Sequence, residues 1–217
     1  MERRFIATGL SLSAALWVAA CSDKLPAGPT PLPLAAAAPE AAADAASRTS
    51  VPLHPFPTGP DLPGTSTSLT RTDSGVSMTV QADNLTAGNA YTVWFVIFND
   101  PASCVGGCGV DDVFANLGEP ALRHAAGNVV GTSGNASFGG HLSVGDTGGP
   151  ACSSNPATLG SCGRGLLDAR AAEIHLVVRS HGPAVPALVN EQISSFLGGC
   201  SVNACANVLA AIHQPNQ

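Results

Sequence analysis

Tyr91-Thr92-Val93-Trp94-Phe95-Val96-Ile97-Phe98 is the stretch that decides the fold class. Seven of its eight residues are apolar, and they are mostly β-branched or aromatic. Both alternating faces are therefore apolar, which predicts a central strand covered on its two sides. Upstream, Ser68–Arg71 and Val76–Val80 alternate and meet at Asp73-Ser74-Gly75, a hairpin signal. Downstream, Ala121–Val130 and Ala136–Val144 flank Gly131-Thr132-Ser133-Gly134, which we read as a second hairpin. Glu173–Ser180 and Asn207–His213 complete the set. Only Pro186–Leu197 reads as a short helix, with Glu191 and Gln192 outward and Ile193, Phe196 and Leu197 inward. About seven short strands with Gly-rich turns predict a mainly β chain, a single antiparallel β-sandwich.

Composition narrows the function classes. The chain has 217 residues, of which 45% are hydrophobic and only 11% charged. Beyond the N-terminal segment no run of about 18 apolar residues occurs, which argues against a transmembrane helix. The formal charge of −6 and a single lysine, Lys24, argue against nucleic acid as a partner. The region 65–217 carries five Arg against ten acidic side chains. That balance discourages adhesion to anionic lipid and suits a soluble envelope domain.

The N-terminus has the layout of an export signal. Arg3 and Arg4 precede an apolar run from Phe5 to Ala20, too short to span a bilayer comfortably. The run ends in Val18-Ala19-Ala20-Cys21, which resembles the lipobox of bacterial lipoproteins. The resemblance implies cleavage before Cys21, a thioether-linked diacylglycerol on its sulfur and an acylated new N-terminus. Ser22 is the neutral residue that in that family directs the protein to the outer membrane. The expected organisation is a signal peptide over 1–20, a lipid-anchored Pro/Ala-rich linker over 21–64 and a β-sandwich domain over 65–217. Pro26, Pro29, Pro31 and Pro33 make the linker a disordered, semi-extended spacer. The expected partners are the membrane, through the anchor, and an unidentified protein or glycan.

Within the domain, Leu85-Thr86-Ala87-Gly88-Asn89-Ala90-Tyr91 contains the only tyrosine of the chain. It resembles the tyrosine corner of Greek-key, immunoglobulin-like sandwiches. The resemblance implies a phenol bonded to backbone where the chain crosses between sheets.

Cys104, Cys108, Cys152, Cys162, Cys200 and Cys205 remain once Cys21 is reserved for lipid. In an exported domain six cysteines imply disulfides. Their spacing favours the neighbours Cys104–Cys108, Cys152–Cys162 and Cys200–Cys205, with a cysteine-rich zinc site as the competing reading. Gly145-Asp146-Thr147-Gly148-Gly149-Pro150 is similar to the nucleophile motif of chymotrypsin-like proteases, but Thr147 stands at the nucleophile position and the required order of His and Asp is missing. We read it as a turn.

One strand combines titratable groups on a single face. In Glu173–Arg179, Ile174, Leu176 and Val178 point one way; Glu173, His175, Val177 and Arg179 point the other. Glu173 and His175 would lie about 7 Å apart, which permits shared metal coordination or a hydrogen-bonded pair. His181 falls ~20 Å from His175, too far for one ion. His141 and His213 also read as strand histidines turned away from the core. Glu173, His175 and His141 are therefore candidate ligands for Cu or Zn, although the closely spaced H-x-H pair of copper/zinc superoxide dismutase is missing. The favoured reading is a non-enzymatic binding or structural module with no catalytic residue and no cofactor. The alternative is a Cu/Zn-binding envelope protein or metalloenzyme using Glu173, His175 and His141.

Overall fold

A computed structural model of the chain describes residues 45–146 and 149–216. The signal segment, Cys21, the first half of the linker and Thr147 lie outside the described residues. Nine strands occur among the described residues: β1 (Ser47–Val51), β2 (His54–Pro55), β3 (Ser66–Thr72), β4 (Gly75–Ala82), β5 (Asn89–Phe98), β6 (Pro120–Val129), β7 (Ala136–Ser143), β8 (Glu173–Pro183) and β9 (Ala206–His213). They form two antiparallel sheets, ordered β1-β3-β4-β7 and β2-β9-β8-β5-β6. Three short helices, α1 (Val110–Ala115), α2 (Pro156–Leu159) and α3 (Val189–Gln192), sit in the connections. No helix among them is long and apolar enough to cross a membrane.

β5 takes the central place that its two apolar faces require, between β8 and β6. Val93, Phe95 and Ile97 pair with Val178, Leu176 and Ile174, and all six face the four-stranded sheet. There they meet Leu69, Val76, Met78, Val80 and Phe138. Each fully buried aliphatic or Phe side chain contributes about 1.5–3 kcal/mol, so this layer dominates the stability. β3 and β4 form the expected hairpin around Asp73 and Ser74.

The tyrosine corner is present in substance. The chain leaves the four-stranded sheet after Ala82 and enters the five-stranded one at Asn89. On the way, Thr86 donates its N–H to the buried Tyr91 phenol oxygen at 3.1 Å.

Three expectations are corrected. The domain begins near Ser47 rather than at Thr65, because residues expected in the linker supply β1 and β2. β1 pairs with β3 over Ser47–Val51, β2 pairs with β9, and Leu53 is fully buried. Pro55 fits within β2 because that strand lies at a sheet edge, where a missing N–H removes few ladder bonds. Next, Gly131–Gly134 does not close a hairpin. β6 is already paired with β5 and β7 with β4, so the turn carries the chain between sheets. Finally, the helix expected over Pro186–Leu197 is reduced to the single turn α3. Gln192 is fully buried there and Leu197 is exposed. The Gln192 amide donates to the carbonyls of His181 and Pro183 and accepts from Val185 N–H, stitching the connection to the end of β8.

A buried cation ties the sheets to the C-terminal segment. Arg71 on β3 is fully buried and donates to the carbonyls of Ala169, Ala172, His213 and Gln214. Burial lowers its pKa to about 10, partly offset by Asp168.

Candidate functional site

Strand register builds the site on the outer face of the five-stranded sheet. One row across it reads His54, Ala210, Val177, Trp94 and His124; the next reads Ile212, His175, Val96 and Leu122. Directly paired residues share a face, so both rows point away from the core between the sheets.

Disulfide-pinned connections cover this face. The connection after β5 carries the Cys104–Cys108 disulfide and α1. The buried Asp112 carboxylate shapes it, accepting the N–H groups of Val105 at 3.1 Å and Gly109 at 2.9 Å. The connection before β8 carries Cys152–Cys162, and the one before β9 carries Cys200–Cys205. All three local pairings are those the spacing favours, so the cysteine-rich zinc reading does not hold for the oxidised chain.

Between the first connection and the Phe56–Thr58 segment runs a groove of about 680 Å³, lined among others by His54, Asp111, His175, Val177 and Ile212. A tighter apolar slot of about 70 Å³ adjoins it, walled by Trp94, Phe98, Val113, Leu122 and Phe196. His175 and Val177 line both spaces.

At that junction Glu173 and His175 are buried together, with Oε1 and Nε2 2.6 Å apart. An ionised carboxylate only accepts, so the imidazole carries its proton on Nε2. Nδ1 then offers a lone pair and has no protein partner among the described residues. Phe98 flanks the ring at 5.1 Å between centroids. An imidazole oriented by a carboxylate, with its second nitrogen free, can accept a hydrogen bond from a ligand or a proton from water.

No family model, curated protein or solved structure matches the chain.

The other predicted site residues fall elsewhere. His141 lies exposed on β7, in the other sheet, with Nδ1 3.0 Å from Ser77 Oγ and Nε2 3.4 Å from Ser143 Oγ. The expected ligand set of Glu173, His175 and His141 is thus split: the first two meet and the third does not join them. His213 is not turned away from the core either. It pairs with the core-facing Ile174 and is buried between Thr49 and Thr67, at 2.7 and 2.9 Å. Burial is the main cause that lowers its pKa to about 4, with Arg71 and His175 adding to it.

Among the described residues one group of three metal-ligating side chains comes together: His181, Cys200 and Cys205. Both cysteines are spent on their mutual disulfide. His181 is fully buried, Nδ1 donating to Gly198 O and Nε2 bonded to Thr92 Oγ1, each at 2.8 Å. Its pKa is lowered, chiefly by burial.

Trp94, Phe56, Phe196 and Asn207 line the site without being read as site residues from the sequence. For Trp94 a signal existed: an apolar outer face on β5 requires something to cover it. For Phe56 and Phe196 none did, because their place in the site depends on loop paths.

Proposed function

We propose that the chain is a lipid-anchored envelope protein whose sandwich domain is a binding module. The ligand's apolar or aromatic part enters the slot beside Trp94 and Phe98, and its hydrogen-bond donor meets His175. The observation that carries this reading is the unpartnered Nδ1 of His175, oriented by Glu173, where an apolar slot opens onto a wide groove. Sites of this kind combine apolar walls with few polar groups that fix orientation. The acidic balance of the chain and the Val18–Cys21 box support the placement in the envelope.

N-phenyl-1-naphthylamine, with two aromatic groups and one N–H donor, tests the groove. A Cys21→Ser chain, free of lipid and detergent, is expected to bind one probe saturably. Val177→Asp should abolish binding, and His175→Ala should weaken it by about five- to tenfold, the value of one hydrogen bond. Binding that ignores both substitutions would remove the groove as the site.

The same substitutions separate a site from a structural pair. Glu173→Gln keeps an acceptor for Nε2–H and should cost under about 1 kcal/mol, whereas His175→Ala strands a buried carboxylate and should cost about 1–3 kcal/mol in urea unfolding. The anchor has its own check. Wild-type protein is expected to pellet with membranes and Cys21→Ser to stay soluble; wild-type protein in the soluble fraction would refute lipidation.

A second reading, hydrolysis with His175 as general base, rests on the same dyad. Among the described residues Thr58 is the only hydroxyl side chain lining groove or slot, so water would be the nucleophile. Turnover of an ester probe, lost with His175→Ala and retained with Cys21→Ser, would favour it.

A further inference from the structure

We propose that His181, Cys200 and Cys205 form a redox-gated site for a thiophilic d10 cation, Zn²⁺ or Cu⁺, shut while the disulfide stands and opened by its reduction. The geometry is nearly in place. His181 Nδ1 lies 3.7 Å from Cys205 Sγ and 3.9 Å from Cys200 Sγ. A tetrahedral centre with metal–sulfur bonds of about 2.3 Å and a metal–nitrogen bond of about 2.0–2.1 Å sets N···S near ~3.6 Å and S···S near ~3.8 Å. Two things therefore have to change: the sulfur–sulfur separation, and the Nδ1–H bond to Gly198 O at 2.8 Å, which must be released. The spacing Cys200-Ser201-Val202-Asn203-Ala204-Cys205 falls within the range of paired thiolate ligands.

The surroundings favour thiolates over thiols. Arg179 Nη2 stands 4.0 Å from Cys200 Sγ, and a guanidinium at that distance stabilises the anion. The same guanidinium is held by Phe196 O, Asn207 Oδ1 and the Phe196 ring. Behind the imidazole, Thr92 Oγ1 meets Nε2, and Trp94 Nε1–H bonds the same hydroxyl at 2.7 Å. Such outer partners orient ligating histidines. No comparable group surrounds Cys104–Cys108 or Cys152–Cys162 among the described residues.

The steps balance. A dithiol reductant gives two electrons and two protons to the Cys200–Cys205 bond and becomes a disulfide itself. The two thiols then lose two protons to solvent as the cation binds both sulfurs. His181 moves its proton from Nδ1, where it now bonds Gly198 O, to Nε2, and the Thr92 hydroxyl turns from donor to acceptor. Three protein ligands leave a fourth position for water.

The test uses the full chain carrying Cys21→Ser, reduced with a phosphine, desalted without oxygen and titrated with Zn²⁺ and Cu⁺ against chromophoric chelators. One ion per reduced chain and none per oxidised chain is expected. Cys200→Ser with Cys205→Ser should weaken binding at least about a hundredfold, and His181→Gln about tenfold or more. Should His181→Gln fail to fold, X-ray absorption on the metal-loaded reduced chain decides, with two sulfurs and one imidazole expected. The proposal is overturned by no binding to the reduced chain, by equal binding to the oxidised one, by binding that survives loss of both cysteines, or by a sulfur site without imidazole.

Discussion

At the scale of single residues, burial favours the neutral form of His181 and His213. Thr67 gives its hydroxyl proton to Val51 O, so its oxygen accepts from His213 Nε2–H, and Thr49 must donate to Nδ1. A second proton would sit on a buried ring facing the Arg71 cation, which is why the pKa falls to about 4. The unfolded chain protonates this histidine near pH 6.5 and the folded one only near 4, so stability is full above about 6.5 and drains away between the two. At about 1.4 kcal/mol per unit the loss is about 3 kcal/mol, and the depressed His181 and His124 act in the same direction. The urea midpoint should drop markedly from pH 7 to 4.5, and less in His213→Gln. Equal midpoints at the two pH values would show that His213 is solvated. The inward turn of His213 was not legible in the sequence, because polarity argued for an outer face. The hydroxyls that satisfy it come from β1 and β3, far away in the chain.

At the scale of elements, periodicity was legible where a strand pairs on both sides or alternates cleanly. β4, β5 and β8 follow their apolar period, and the Glu173–His175 pair could be read from it directly. β1 and β2 could not, because Pro52 and Pro55 beside and within them look the same as prolines of a spacer. Gly131–Gly134 could not either: the same turn residues serve a hairpin and a crossing, and only the partners of β6 and β7 distinguish them. His141 fails as a partner of His175 for the same reason, since sheet membership is a long-range property. The α3 segment departs from its sequence pattern because Gln192 is used for its amide, not for its polarity at a surface. How closely this segment lies on β6 gives a prediction. A Cβ on Gly127 would meet the Ile193 carbonyl oxygen at 1.8 Å, backbone against backbone, so nothing flexible can yield. Gly127→Ala should cost more than about 2 kcal/mol and raise hydrogen exchange in residues 189–198 first. Gly131→Ala, with open space around its Cβ, should stay within about 0.5 kcal/mol of wild type.

At the scale of the whole domain, the three disulfides share an arrangement that separates stability from site. Each joins cysteines 4, 10 or 5 residues apart inside one connection, and none bridges the two sheets. Closing loops this short removes little unfolded-state entropy, about 2–3 kcal/mol per bond at most. The layer between the sheets is therefore self-sufficient, while the covering connections depend on their cross-links for shape. Cys104–Cys108 is the case that matters for the groove, because its connection forms one wall and contributes Val105, Gly107 and Cys108 to the lining. Replacing both cysteines by Ser should lower stability by no more than about 2 kcal/mol and leave the far-ultraviolet circular dichroism unchanged. The wall would loosen, so binding of the naphthylamine probe should weaken by a larger factor than the loss of stability accounts for. Limited proteolysis should cut first within residues 101–118 and spare β4, β5 and β8. Global unfolding of this double variant at neutral pH would show instead that the staple supports the sandwich itself, and that the covering loops and the core fold as one unit.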